Sequence, residues 1–172
     1  MLRSASSLLA LAVLCVQVAL AKIETGYYWI VDNKGNSLGF GPVPPIWPPP
    51  DVPVRLFNPD SHPQKWYVEE AEGGLIIRAA RDRESYRLVS SDDVVFVSFQ
   101  KAPEPWAVTS VGQARFEIKA PYQDSVFTAK PEDEFQVQLR RAEGLPNQKW
   151  TFVPMDRYHR ESRNRFCKQE QW

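Results

Sequence analysis

The chain has 172 residues, 43% of them hydrophobic and 24% charged, and its 21 Lys and Arg residues balance 21 Asp and Glu residues. This neutral balance argues against a nucleic-acid-binding protein, which carries an excess of basic residues on one face. It also argues against a disordered acidic or basic tail protein. Two cysteines are too few for a disulfide-rich scaffold or a four-cysteine zinc site.

Residues 1–21 have the features of a cleaved signal peptide. Arg3 supplies a positive charge, residues 8–20 are almost wholly apolar, and alanines stand at the two positions that signal peptidase reads. The apolar run is shorter than the roughly 20 residues that a membrane-spanning helix requires. We therefore expect a secreted mature chain that begins at Lys22, has no membrane segment and keeps Cys167 as its only cysteine.

Three tryptophans in one sequence context divide the remaining chain into repeats. Trp66, Trp106 and Trp150 each follow Gln or Glu by two residues and precede an apolar residue by two, at intervals of 40 and 44 residues. Alternation of this kind is typical of a β-strand. A repeated Gln-x-Trp is also the signature of ricin-type lectin repeats, but large aromatic side chains usually fill protein cores. We therefore expect all three tryptophans to be buried.

Each repeat also contains three earlier segments with the residue pattern of strands. They lie at residues 27–31, 37–40 and 54–57, at 75–78, 86–89 and 94–99, and at 115–119, 125–129 and 134–139. In the last segment Phe135, Val137 and Leu139 alternate with two glutamines, which predicts one buried face and one solvated face.

Three repeats of four strands predict an all-β fold of twelve short strands. A propeller of three blades would be too small to close. Three four-stranded units can instead close into a small barrel capped by three hairpins, the β-trefoil, and closure removes exposed sheet edges. We assign this pseudo-symmetric domain to residues 22–155. Residues 156–172 lie beyond the third repeat as a non-trefoil tail, either a short amphipathic helix or a disordered end.

One connection breaks the symmetry of the repeats. The second and third strands of repeats two and three are joined by residues 90–93 and 130–133, four residues each, whereas repeat one uses thirteen, residues 41–53, of which seven are proline. Proline fixes its own φ and favours extended geometry in the preceding residue, so we expect a stiff, polyproline-like projection. A connection of this length in a compact domain is often functional.

Pro45, Ile46, Trp47 and Pro48 at the centre of this connection form the candidate site. Their large apolar side chains have no evident core to enter, and a stiff extended segment loses little conformational entropy on binding. Proteases bind their substrates as extended chains, so the segment suits protease inhibition. The alternatives are a surface loop without function and a loop folded back so that Trp47 covers an apolar patch. A ligand for Pro-x-x-Pro-binding modules is disfavoured because those modules are mostly intracellular.

A family resemblance is found in four segments, residues 26–30, 102–109, 116–119 and 148–154. In these segments the chain resembles the fungal β-trefoil serine protease inhibitors, the cospin-like family, and it is more distantly similar to fungal cysteine-protease inhibitors of the same fold. The resemblance implies that a loop of the first repeat enters a target endopeptidase and blocks it. We expect the protein to be a monomer.

The loop that occupies this place contains no Arg or Lys for a trypsin-like specificity pocket. Ile46 or Trp47 would instead suit an apolar pocket of the chymotrypsin or elastase kind. Ile46 is favoured as the inserted residue because Pro48 follows Trp47, and proline is poorly accommodated just after the scissile position.

No enzyme motif is evident in the chain. It lacks the Gly-x-Ser-x-Gly elbow, the phosphate-binding Gly-x-x-x-x-Gly-Lys and His-Glu-x-x-His, so we expect neither an enzyme nor a cofactor or metal site. Two other functions stay open. One is a carbohydrate-binding trefoil, in which Asp32 and Tyr28 would pair an acid with an exposed aromatic ring. The other is a secreted effector that binds a host protein through another face.

Overall fold

A computed structural model describes residues 22–58, 61, 64–80 and 86–155. The expected signal peptide, the C-terminal tail and Cys167 lie outside these ranges. The described chain is all-β, with twelve strands in one sheet, and both of these predictions are confirmed. A single 3-10 turn, Pro146–Gln148, precedes the last strand. Within the same ranges no helix is long and apolar enough to cross a membrane.

The strands divide evenly among the three sequence repeats. Repeat one contains β1 (Gly26–Val31), β2 (Ser37–Phe40), β3 (Val52–Phe57) and β4 (Trp66–Ala71). Repeat two contains β5 (Gly74–Ala79), β6 (Arg87–Ser91), β7 (Val94–Ser98) and β8 (Ala107–Ser110). Repeat three contains β9 (Phe116–Lys119), β10 (Ser125–Ala129), β11 (Val137–Arg141) and β12 (Thr151–Pro154). Every predicted segment has a corresponding strand, with shifts at the ends.

Six of the strands form a closed ring. β1 pairs with both β4 and β12, β4 pairs with β5, and β8 pairs with β9. The tryptophan of each repeat joins the last strand of that repeat to its first strand. The joined residues are Tyr28 with Trp66, Leu75 with Trp106, and Phe116 with Trp150. The three repeats therefore share one register at the ring.

The other six strands form three antiparallel hairpins, β2–β3, β6–β7 and β10–β11. β7 pairs with both β3 and β11, so the hairpins contact one another. The connection in the first hairpin is eleven residues, 41–51, rather than thirteen, because Val52 and Pro53 belong to β3 and pair with β7. The other two connections are residues 92–93 and residues 130–136, so the prediction of four residues each was wrong.

The three repeated tryptophans are fully buried, as predicted. Each indole N–H donates a hydrogen bond to a carbonyl in the second strand of its own repeat, over 2.9, 3.2 and 3.0 Å in chain order. The acceptors are Leu38, Leu88 and Phe127. Because these indoles are buried, they cannot stack on a sugar ring. Their hydrogen bonds attach each hairpin to the barrel strands.

The expected solvated face of β11 is not observed. Gln138 is 8% exposed, and its side-chain amide donates to the Asp133 carboxylate over 3.0 Å. The strand begins only at Val137. The side-chain oxygen of Gln136, just before it, accepts a hydrogen bond from the Leu56 N–H over 2.9 Å. Both glutamines therefore serve internal contacts, and one of them joins the first hairpin to the third.

Candidate functional site

Residues 41–51, the first-repeat loop, place the predicted site residues on the molecular surface. Pro45, Ile46, Trp47 and Pro48 are all exposed, with 61% of Ile46 and 74% of Trp47 open to solvent. Burial of apolar side chains is the main favourable term in folding, so two large exposed apolar groups side by side are unusual. A loop folded back to hide both side chains is therefore not what the structure contains.

The first-repeat loop is bent, and the expectation of a continuous polyproline-like projection was wrong. The carbonyl of Pro44 accepts a hydrogen bond from the N–H of Ile46 over 2.8 Å, which closes a γ-turn around Pro45. The chain bends again at Trp47 and Pro48, whose peptide bond is cis. The φ that proline imposes suits an inverse γ-turn as well as an extended chain.

The C-terminal half of the loop, residues 47–51, lies against a second segment. That segment is residues 99–101, which follow β7 and are called the support segment below. The rings of Trp47 and Phe99 meet edge to face with centroids 5.3 Å apart. The side-chain amide of Gln100 donates to the Pro49 carbonyl over 3.1 Å, and Pro49 itself is buried.

An ion pair completes the contact at the base of the loop. The Lys101 ammonium lies 3.1 Å from the Asp51 carboxylate. Asp51 is the only charged residue of the first-repeat loop, so the tip carries no charge of its own. The loop thus presents an uncharged, apolar tip on a base that is fixed by polar contacts.

A row of aromatic rings connects the loop to the core. Phe99, which touches Trp47, lies 6.1 Å from Tyr86, and Tyr86 lies 5.8 Å from Phe40. Phe40 in turn lies 6.1 Å from the buried Trp66. Tilted and edge-to-face ring pairs at these distances are favourable. The exposed indole therefore stands at the outer end of a packed series of rings.

The pair suggested as a sugar site is not available to a ligand. Asp32 is 3% exposed, and its carboxylate accepts hydrogen bonds from the backbone N–H groups of Lys34 and Asn36, both over 2.8 Å. Tyr28 is 8% exposed, and its hydroxyl donates to the Glu24 carbonyl over 2.8 Å. Both residues are structural, so the prediction of an exposed acid and aromatic pair there was wrong.

Sequence reasoning missed another exposed aromatic residue. Tyr122, in the turn between β9 and β10, is fully exposed and has a φ of 60°, a conformation that favours glycine or asparagine. It borders a groove of about 910 Å³ that Gly73 and Pro105 also line. Asp124 on the same turn lies 2.7 Å from the Lys119 ammonium. The hydrogen bond and the charge of Lys119 lower the pKa of the Asp124 carboxyl. The signal in the sequence is an aromatic residue after a proline in a polar turn.

Within the described parts of the chain, no group of three or more His, Cys, Asp or Glu residues is placed to hold a metal ion.

No protein-family model and no curated protein sequence matches the chain. Solved structures do match. A proteinase inhibitor from Coprinopsis cinerea is 16% identical with a TM-score of 0.64, over 78% of this chain and 100% of that one. The Rhizoctonia solani agglutinin is 18% identical with a TM-score of 0.60, over 79% and 99%. The Macrolepiota procera ricin B-like lectin, in complex with lactose, is 14% identical with a TM-score of 0.58, over 78% and 99%. The similarity shows a fold shared with fungal β-trefoil proteins.

Proposed function

We propose that the mature protein is a secreted, monomeric β-trefoil of three pseudo-symmetric repeats that inhibits a serine endopeptidase through the first-repeat loop. One observation carries the proposal. Ile46 and Trp47 form an exposed apolar tip on a loop whose other half is fixed to the body. The proteinase inhibitor with which the chain shares its fold supports it. In this role the protein is not an enzyme, and it requires no cofactor.

Ile46 is the residue that enters the specificity pocket in this proposal. Trp47 makes a ring contact with Phe99, which insertion would break. Pro48 follows Trp47, and proline is poorly accommodated just after the scissile position. Ile46 stands at the end of the γ-turn with 61% of its surface exposed. A branched aliphatic side chain fits an apolar pocket of moderate size, and full burial of such a side chain contributes about 1.5–3 kcal/mol. The expected target is therefore an endopeptidase with a pocket of the elastase or chymotrypsin kind.

Binding exchanges one hydrogen bond for another. The Ile46 N–H bonds to Pro44 within the free loop, and a protease cleft offers backbone acceptors to the inserted residue. Because folding and binding replace hydrogen bonds rather than create them, the net cost of such an exchange is about 1 kcal/mol or less. The exposed apolar surface of the tip can offset a cost of this size.

Titration of elastase, chymotrypsin, subtilisin, trypsin and papain with the protein tests the proposal. We expect inhibition at micromolar concentration or below for a serine protease with an apolar pocket. The Ile46→Ala variant should weaken that inhibition by about tenfold or more, since inserted residues carry most of such binding energy. Val111→Ala is the matched control, because Val111 is also an exposed aliphatic residue but lies on the β8–β9 turn. Failure to inhibit any protease of this set would overturn the proposal.

Carbohydrate binding is the second candidate, and the groove beside Tyr122 favours it. A fully exposed ring next to carboxylates and one amide side chain offers the stacking surface and hydrogen-bond acceptors that a sugar ring uses. A glycan array should then show binding that Tyr122→Ala abolishes, whereas an array without any bound glycan would remove this candidate.

A further inference from the structure

We propose that the support segment, residues 99–101, is the positioning element of the first-repeat loop. It holds residues 47–51 in place while Ile46 occupies the protease, and it retains that half of the loop even after its Ile46–Trp47 peptide bond is cut. This inference rests on the proposed inhibitory function. The protein then acts on its target as an inhibitor that is hardly consumed.

The contacts between the support segment and the loop are regularly spaced. Three consecutive residues of the support segment contact three alternate residues of the loop, one each. The contacts are Phe99 with Trp47, Gln100 with Pro49, and Lys101 with Asp51. The three contacts are distributed over residues 47–51, so this half of the loop lies along the support segment. An aromatic contact, a hydrogen bond and an ion pair act at three points.

The support segment is itself fixed by hydrogen bonds. The hydroxyl of Ser98, which is fully buried at the end of β7, accepts hydrogen bonds from the N–H groups of Gln100 and Lys101 over 3.2 and 3.0 Å. The guanidinium of Arg87 in β6 donates to the Phe99 carbonyl over 2.9 Å. Its bond to the Lys101 carbonyl is 3.4 Å long. The segment is therefore attached to both strands of the β6–β7 hairpin by hydrogen bonds.

The N-terminal half of the loop contrasts with this arrangement. Pro42, Pro44, Pro45 and Ile46 are exposed, and Val43 is the member of this half that packs against the core. The two halves meet at the Ile46–Trp47 bond. The polar contacts with the support segment all lie after this bond, at Pro49 and Asp51, whereas Val43 gives the preceding half its contact with the core.

Retention of residues 47–51 has a chemical consequence. When the protease serine attacks the Ile46 carbonyl, the Ile46–Trp47 C–N bond breaks, Ile46 becomes an acyl ester, and the serine proton passes to the Trp47 amine. If the amine stays beside the ester, it can attack the same carbonyl. This re-forms the peptide bond and returns the proton to the serine oxygen. Groups held in this way react at very high effective concentration, so resealing competes with hydrolysis by water.

The test measures inhibition and loop cleavage together. We expect the double variant Gln100→Ala/Lys101→Ala to weaken inhibition by about tenfold and to speed hydrolysis of the Ile46–Trp47 bond, followed by mass spectrometry, by a similar factor. The melting temperature should fall only slightly, because ion pairs and hydrogen bonds that are partly exposed contribute about 1 kcal/mol or less each. Lys119→Ala is the matched control, since it breaks another exposed ion pair, with Asp124, and should change neither quantity.

A charge exchange separates positioning from a general effect of lost contacts. Lys101→Asp alone should weaken inhibition, and Lys101→Asp/Asp51→Lys should restore most of it, because the pair is re-formed with reversed polarity. If Gln100→Ala/Lys101→Ala behaves like Lys119→Ala in both assays, or if the exchange restores nothing, the inference is overturned.

The inference can fail separately from the proposed function. If the unmodified protein inhibits no protease, the proposed function fails first. Cleavage of the first-repeat loop by subtilisin then tests the support segment alone. Faster cutting between residues 46 and 47 in Gln100→Ala/Lys101→Ala than in Lys119→Ala supports a holding role, and equal rates reject it.

Discussion

The residue two positions before each repeated tryptophan has a structural role in two of the three repeats. Glu104 accepts hydrogen bonds from the backbone N–H and the hydroxyl of Ser90 over 2.9 and 2.8 Å. Gln148 donates to the Arg141 carbonyl over 2.8 Å. Gln64 instead bonds only to the neighbouring Lys65 carbonyl among the contacts observed in the described residues. The Glu or Gln of this motif therefore ties a hairpin to the barrel in repeats two and three.

The ion pair between Lys119 and Asp124 predicts how the stability of the protein changes at acid pH. Lys119 lowers the pKa of Asp124 through a hydrogen bond and its charge, so Lys119→Ala should raise that pKa toward the ordinary aspartate value. A carboxyl with a lowered folded-state pKa stabilises the protein fully above its unfolded-state pKa, about 3.9. That contribution is lost as the pH falls through the folded-state value.

Carboxyl titration by NMR measures the shift directly. Urea unfolding at neutral pH should show Lys119→Ala slightly less stable than the unmodified protein, and the difference should vanish at a pH below the lowered pKa of Asp124. A difference that persists unchanged in strong acid would contradict the assignment of the pKa shift to this pair.

At the scale of elements, the joint between β5 and β8 depends on one glycine. A Cβ on Gly74 would lie 2.4 Å from the carbonyl oxygen of Trp106, well inside van der Waals contact. Next to it, Leu75 and Trp106 exchange two backbone hydrogen bonds of 2.9 Å. Gly74→Ala must separate these strands, and we expect a loss of about 2–4 kcal/mol in unfolding free energy.

Urea denaturation followed by circular dichroism measures this loss. Gly41→Ala is the control, because a Cβ there meets no atom within 4 Å and should change stability by less than about 0.5 kcal/mol. Equal stability of the two variants would mean that the joint tolerates displacement.

Strand positions were predictable because they depend on local patterns. Alternating apolar residues and a tryptophan at a nearly constant interval mark all twelve strands, and the burial of those tryptophans followed from their size. Strand ends were less predictable, because they depend on distant pairing. Val52 and Pro53 extend β3 only because β7 lies beside them. Gln138 alternates with apolar residues, as a residue on a solvated face would. Its side-chain amide is nevertheless buried, where it donates a hydrogen bond to the Asp133 carboxylate at the preceding turn.

The position and exposure of the candidate site were also predictable, but its shape was not. Thirteen residues rich in proline were sufficient to indicate a long surface connection in which Ile46 and Trp47 are exposed. Proline restricts φ to values that suit both a γ-turn and an extended chain. The sequence alone therefore does not predict the bend at Pro45. Residues 99–101 lie about fifty residues after the loop in sequence. No local sequence pattern therefore indicates that the two segments are in contact.

At the scale of the whole molecule, the first-repeat loop is an insertion on a scaffold that does not depend on its tip. The three indole hydrogen bonds and the closed ring of strands lie elsewhere in the chain. Replacing residues 44–48, which are all exposed, with two glycines should change the unfolding free energy by less than about 1 kcal/mol, because the cost of loop closure varies slowly with length. The same variant should lose protease inhibition completely.

Thermal unfolding and inhibition of the most sensitive protease, measured on one preparation, check this prediction. A variant that keeps its stability and still inhibits would place the inhibitory surface outside the first-repeat loop. A variant that fails to fold would show that the loop is part of the scaffold.

The double pairing of β7, with β3 on one side and β11 on the other, brings the three hairpins together. Only one of their three connections is long, and residues 92–93 form a minimal turn. The antiparallel register of β3 and β7 places this turn at the far end of β7 from the first-repeat loop, so a second recognition segment grafted there would lie apart from the first. Two such segments would bind two targets on one scaffold or one extended target at two points, and in the second case avidity rises without improvement of either segment.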